Sequence, residues 1–149
     1  MKLQKDLKEV VALLNARNAR YVIVGGYAVA FHGHPRGTRD IDIFVDRTRE
    51  NAQAVIDAVN DFGFGSLGFN VDDLLQPGTF LQMGAEPHRI DITNEIPGLT
   101  FAEAWNSRVL AYADDVAVNV VGKDALIKNK RATARPKDIA DVDVLSNQH

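Results

Sequence analysis

Two carboxylates stand two residues apart in the run Asp40-Ile41-Asp42-Ile43, and a third stands in the matching run Ile90-Asp91-Ile92. Side chains of a strand alternate between faces, so Asp40 and Asp42 share one face while the isoleucines take the other. Their Cα atoms fall about 6.6 Å apart at about 3.3 Å per residue, near enough for one or two hard cations to bind both. Upstream, Gly25-Gly26 ends the apolar run 21–24. Glycine accepts a positive φ and has no side chain to block a ligand, so phosphate can approach the backbone there. The helical pattern at 27–31 would turn free amide N–H groups toward it. Each feature alone has a plain structural reading: a Gly-Gly is usually a turn, and an Asp-x-Asp is usually a solvated strand face.

Taken together, in this order and with Asp40 fourteen positions after Gly26, these residues resemble the signature of the DNA polymerase β-like nucleotidyltransferase superfamily. That signature is a Gly-Gly or Gly-Ser turn, a spacer, then Asp-x-Asp flanked by aliphatics. The pattern Gly25, Gly26, Ala28, Gly33, Arg36, Thr38, Asp40, Ile41, Asp42 is similar to the small prokaryotic group that includes relatives of abortive-infection toxin nucleotidyltransferases. The resemblance implies an α/β (α+β) fold, a small mixed sheet with three aspartates on one face and helices packed behind. It makes Asp91 the third carboxylate, from a neighbouring strand. It implies Mg²⁺, with Mn²⁺ as the alternative, held by Asp40, Asp42 and Asp91. A nucleoside triphosphate would be bound by Gly25, Gly26, Thr38, Arg39 and Lys130.

The stretch LIKNKRATARPKDIADVDVL resembles the family's closing pattern, in which Lys130, and with it Lys128, would reach the phosphates. Asp138 and Asp141 have a structural reading there: Asp138 suits the N-terminal dipole of a helix that follows Pro136, and Asp141 suits a pair with Arg135 or Lys137. Gly26 departs from the many relatives that carry serine at this position and use its hydroxyl on the triphosphate.

The elements that must position these groups follow from periodicity. Leu3, Leu7, Val10, Val11 and Leu14 repeat at helical spacing over 3–18. Thr48 is an N-cap for a helix whose apolar face is Ala52, Val55, Ile56 and Val59, stopped at Gly63. Residues 62–78 read as loop with a short helix at 71–76, 80–83 and 89–93 as strands, 101–107 as a helix, 116–121 as a strand, and 123–134 as a helix. Trp105 reads as a core or interface residue. The four histidines have no ligand spacing and read as exposed loop residues.

With 149 residues, 46% hydrophobic and 25% charged, the chain reads as a single minimal domain over 1–149 with no room for a second catalytic unit. The absence of cysteine excludes disulfides and thiolate metal sites. No apolar run approaches the ~20 residues of a membrane helix, so no membrane partner and a cytoplasmic location are expected. Charge is uneven: seven basic and two acidic residues over 1–39, four and fourteen over 40–121, six and one over 122–137. Two basic segments flanking an acidic middle can receive a polyanion beside the carboxylates.

The resemblance therefore implies transfer of a nucleoside monophosphate to a hydroxyl on RNA, such as a tRNA end, or on a protein, in a toxin–antitoxin setting. A non-catalytic nucleotide- or partner-binding member of the same fold is the alternative. A glycosyltransferase built on Asp-x-Asp is disfavoured by the upstream Gly-Gly. Oligomeric state and preferred nucleotide are not encoded in the shared motif.

Overall fold

The computed structural model describes residues 1–34, 37–38, 40–85 and 88–147. The chain runs α1 (Lys5–Ala16), β1 (Tyr21–Val24), α2 (Gly25–Phe31), β2 (Ile41–Val45), α3 (Arg49–Asp61), a 3₁₀ turn (Gly65–Leu67) and α4 (Val71–Leu75). It continues through β3 (Phe80–Met83), β4 (Ile90–Thr93), α5 (Phe101–Ser107), β5 (Val109–Ala113), β6 (Val116–Val120), α6 (Lys123–Thr133) and α7 (Pro136–Ser146). The six strands form one mixed sheet in the order β3-β4-β2-β1-β6-β5. β1 is antiparallel to β2, β2 is parallel to β4, and β1 is parallel to β6.

Alternation along β2 decides what lies behind the sheet. Ile41, Ile43 and Val45 are buried, and Val45 pairs with Tyr21, whose hydroxyl donates to Asn15 Oδ1 of α1 at 2.8 Å. α1 therefore covers the face opposite Asp42, burying Leu7, Val10, Val11 and Leu14, and α3 packs beside it. Thr48 caps α3 as its sequence indicates, accepting from the Asn51 N–H at 3.3 Å. Asn51 is buried and fully used: its side chain accepts from Arg20 N–H and donates to the carbonyls of Arg20 and Asp46, tying the start of β1 to the end of β2.

A second helical group, α5, α6 and α7, stands on the aspartate side. The expected mixed sheet is there, with helices behind it, but the aspartate-bearing face is itself partly apolar and needs its own cover. Phe44, two residues beyond Asp42, is buried edge-on against Phe101 of α5 at a ring separation of 5.3 Å. Trp105 of α5 stacks on Phe101 and lies under the guanidinium groups of Arg20 and Arg108, a packing role as expected.

Strand β5 is absent from the sequence reading. It is an edge strand whose outward residues Leu110 and Tyr112 are apolar, so polar–apolar alternation is lost. The signal that would have found it is the two-residue polar break Asp114-Asp115 between two apolar runs, with Asp114 at φ 55° and Ala113 paired to Val116. Among the described residues no helix is long and apolar enough to cross a membrane.

Candidate active site

β2 and β4 run parallel with Asp42 directly beside Asp91, and β1 pairs Val24 with Asp42. This register brings Asp42, Asp91 and the Gly25 turn to one place on one face. Asp40 precedes β2, where the Ile41 N–H donates to the Arg89 carbonyl at 3.1 Å. Asp91 is only 4% exposed. The turn itself is tight: Gly25 opens α2 at φ 68°, and a Cβ built on it would lie 2.1 Å from Asp42 Oδ2. The carboxylate therefore rests against the glycine Cα, and α2 begins at Gly25 rather than two residues later, as its sequence pattern indicates.

The electrostatics are those of crowded like charges. Burial first, then the negative charges of Asp91 and Asp40, push the Asp42 carboxyl up to about 6, against the opposing pull of Lys130 and Arg89. Tyr27 of α2 is raised above the ordinary tyrosine range by burial and by Asp40. Arg89 supplies the compensating charge. Its Nε donates to Asp91 Oδ1 at 2.9 Å and its Nη2 to Asp91 Oδ2 at 3.1 Å, while Nη2 also lies 3.0 Å from Asp40 Oδ2. Sequence reasoning missed Arg89, although its place two residues before Asp91 puts both side chains on one strand face.

On the other side of Asp42 lies a cavity of about 170 Å³, lined by Gly25, Asp42, Thr93, Asn129, Lys130 and Arg135 among others. Lys130, 4% exposed, has its ammonium 3.0 Å from Asp138 Oδ1 and 3.4 Å from Asp141 Oδ2. Asp138 also accepts from Arg135 Nε at 2.7 Å and from the Arg135 N–H at 3.2 Å, closing a capping box at the start of α7. Burial opposes its ionisation, but hydrogen bonds from Arg135, Thr133 and Lys130 outweigh it and hold the carboxyl well below the usual range. Asp141 meets His34 Nδ1 at 3.1 Å and Lys130, where the sequence suggested Arg135 or Lys137.

Because Asp138 is fully buried against the buried Lys130 ammonium, Asp138→Ala leaves Lys130 in the interior with Asp141 as its remaining carboxylate and opens the capping box that Arg135 closes from the surface. The expected loss is about 3–5 kcal/mol, read by urea denaturation. That stabilisation is present above the ordinary aspartate range and fades as pH falls through and below it, so the variant and wild type should converge in acid. A loss under about 1 kcal/mol at neutral pH would make the cluster incidental.

Other expectations sort themselves by position. Thr38 lines a separate cavity with Met1, Tyr27 and Phe31. Lys128 pairs with Glu103 of α5 and does not line the cavity beside Asp42. Arg36 and Arg39 lie outside the described residues, as does His149. His32 and His34 are not exposed loop residues. Both are half-buried, and His32 Nε2 sits 2.6 Å from the Val121 carbonyl.

Whether these residues suit divalent cations is a matter of donor chemistry. Three clustered carboxylates offer hard oxygen donors, and Asp40 Oδ1 is buried without a hydrogen-bond partner among the described residues. Their mutual repulsion is what a cation would relieve. Yet among the described residues no group of three such side chains is arranged to hold an ion as it stands. The donor set fits; the guanidinium of Arg89 lies on two of its three members.

No curated protein sequence matches the chain significantly. Among solved structures, the chain is similar to a lincosamide antibiotic adenylyltransferase, LnuA, solved with lincomycin bound, at a TM-score of 0.58 and 17% identity over 98% of each chain. At that identity the likeness establishes the fold. A family model described as "Nucleotidyltransferase of unknown function (DUF6036)" matches residues 1–147. A match over nearly the whole length, on a chain that places Asp42 and Asp91 side by side against the Gly25 turn, identifies this protein as a member of that nucleotidyltransferase family.

Proposed function

We propose that the protein is a metal-dependent enzyme that moves a nucleoside monophosphate from a nucleoside triphosphate to a hydroxyl on RNA or on a protein. The observation that carries this reading is the convergence of Asp40, Asp42 and Asp91 on one face of the sheet beside Gly25, with the buried ammonium of Lys130 across the adjoining cavity.

On this reading Asp40, Asp42 and Asp91 hold Mg²⁺. Bound there, the ions would supply charge neutralisation for displacement at the α-phosphorus. Gly25 and Gly26 offer backbone N–H groups to the outer phosphates, and Lys130, fixed in place by Asp138 and Asp141, adds positive charge that solvent cannot screen. Arg39, adjacent in sequence to Asp40, adds a further charge. The Asp91 carboxylate takes the proton of the acceptor hydroxyl as the new P–O bond forms and pyrophosphate leaves.

A small-molecule hydroxyl is the second acceptor class. It is favoured by the full-length likeness to an adenylyltransferase solved with lincomycin bound.

ATP or GTP with Mg²⁺ should raise the melting temperature, because a ligand that binds only the native state stabilises it by mass action, by about 2.7 kcal/mol at a hundredfold excess over Kd. Asp40→Asn with Asp42→Asn should abolish the shift. Pyrophosphate release is then measured with tRNA, protein hydroxyls and hydroxylated small molecules in turn. An equal thermal shift in wild type and double variant places the nucleotide elsewhere, and a shift without release for any acceptor leaves a nucleotide-binding module.

A further inference from the structure

Arg89 is the one cation that touches the acidic triad by direct hydrogen bonds among the described residues, and its contacts are specific. It engages both oxygens of Asp91 and one of Asp40, at 2.9, 3.1 and 3.0 Å. Asp91 is almost wholly removed from water, and a buried carboxylate is costly without a positive, hydrogen-bonding partner. A guanidinium bound in this way uses the lone pairs that a divalent ion would need, since Mg²⁺ demands short, near-octahedral oxygen contacts. Arg89 and a divalent ion therefore compete for both oxygens of Asp91 and for one oxygen of Asp40.

The balance of charge favours exchange. One guanidinium does not by itself neutralise three carboxylates, and Asp40 Oδ1 is still unpartnered among the described residues. The Arg89 side chain is 32% exposed, so a route to solvent is open to it.

We propose that Arg89 is a built-in counter-ion of the acidic site, spanning Asp40 and Asp91 while no divalent cation is bound and leaving them when one binds. The inference rests on the three-aspartate cation site proposed above and adds a positioning residue to it. In the cation-free protein Arg89 keeps Asp91 and Asp40 ordered on one face, and it makes cation binding depend on breaking two hydrogen bonds to Asp91 and an ion pair with Asp40.

The test is a Mn²⁺ titration of the whole protein, without nucleotide, followed by water-proton relaxation, with melting temperatures recorded alongside. Arg89→Gln should bind Mn²⁺ at least about tenfold more tightly than wild type, because charge-assisted hydrogen bonds no longer compete. It should melt lower than wild type without Mn²⁺ and recover most of the difference with it. Arg89→Lys, whose single ammonium cannot span both carboxylates, should fall between. If both variants bind Mn²⁺ no more tightly than wild type while Asp42→Asn abolishes binding, the counter-ion role is overturned and the cation site stands. If Asp40→Asn and Asp42→Asn bind Mn²⁺ as wild type does, the cation site itself fails, and the inference with it. Should Arg89→Gln not fold, wild type still decides: the Arg89 Nε–H resonance should shift on saturation with Mg²⁺, and an unmoved resonance overturns the proposal.

Discussion

Asp42→Asn should make the metal-free protein more stable and the enzyme inactive. Asp42 is held at about 6 by burial and by its acidic neighbours, above the ordinary 3.8. Below the ordinary value both folded and unfolded chains carry the proton, and the group contributes nothing. Between 3.8 and 6 the unfolded chain has released a proton that the folded one keeps, so stability falls as pH rises. Above 6 the whole penalty is present, about 3 kcal/mol from a shift of roughly two units. Asparagine keeps the shape and removes the charge. The expected gain at pH 8 without divalent ions is about 1–2 kcal/mol, or ~2–8 °C in melting temperature for a domain of this size. At pH 4 the gain should vanish. On the proposed cation site, transfer should fall at least ~10³-fold, because one of its carboxylate ligands would be gone. A variant destabilised equally at both pH values would show that the carboxylate is not a strained charge. One that retains activity would remove Asp42 from the site.

Gly25→Ala carries the second large effect, and it comes from the backbone rather than from charge. A left-handed φ of 68° costs an alanine about 1–2 kcal/mol. The new methyl would also meet Asp42 Oδ2 at 2.1 Å, Cγ at 2.9 Å and Cβ at 3.1 Å, so the carboxylate must be driven aside. The combined expectation is a loss of about 2–4 kcal/mol by urea denaturation, together with loss of the nucleotide-dependent thermal shift. A double-mutant cycle isolates the contact. In an Asp42→Ala background the oxygen and Cγ are gone, so the penalty of Gly25→Ala should shrink by at least about 1 kcal/mol. A penalty of the same size in both backgrounds would mean that the turn tolerates the methyl by moving away from β2.

How much of this was written in the sequence depends on the range of the interaction. Asp40 and Asp42 were legible because alternation is a local property, and so was Asp91, because Ile90-Asp91-Ile92 repeats the same local pattern. The side-by-side placement of Asp42 and Asp91 was not, since it depends on β2 and β4 meeting in parallel register through a crossover of more than forty residues. Arg89 escaped for a different reason. Its identity and strand position could be read, but nothing local says that its guanidinium would fold over Asp91 and reach Asp40. Lys130 was expected to face phosphate; that it would be buried against Asp138 and Asp141 follows only from the packing of α7 on α6. β5 was lost because an edge strand with apolar outward residues breaks the alternation on which strand reading rests.

The parallel register of β2 and β4 also divides the chain into stretches of fixed and of free length. Between Ile41 and Val45, or between Ile90 and Thr93, a single inserted residue moves every following side chain to the other face. An insertion of this kind just before Asp42 or Asp91 would drive a carboxylate into the isoleucine layer and bring an isoleucine out. The connection from α3 to β3, with its 3₁₀ turn and α4, contributes no residue to the lining of the cavity beside Asp42. Loop closure grows costlier only slowly with length, by about 0.6 kcal/mol per doubling. Homologues that differ in length should therefore differ there, and a gap inside either strand should mark a chain whose carboxylates no longer meet.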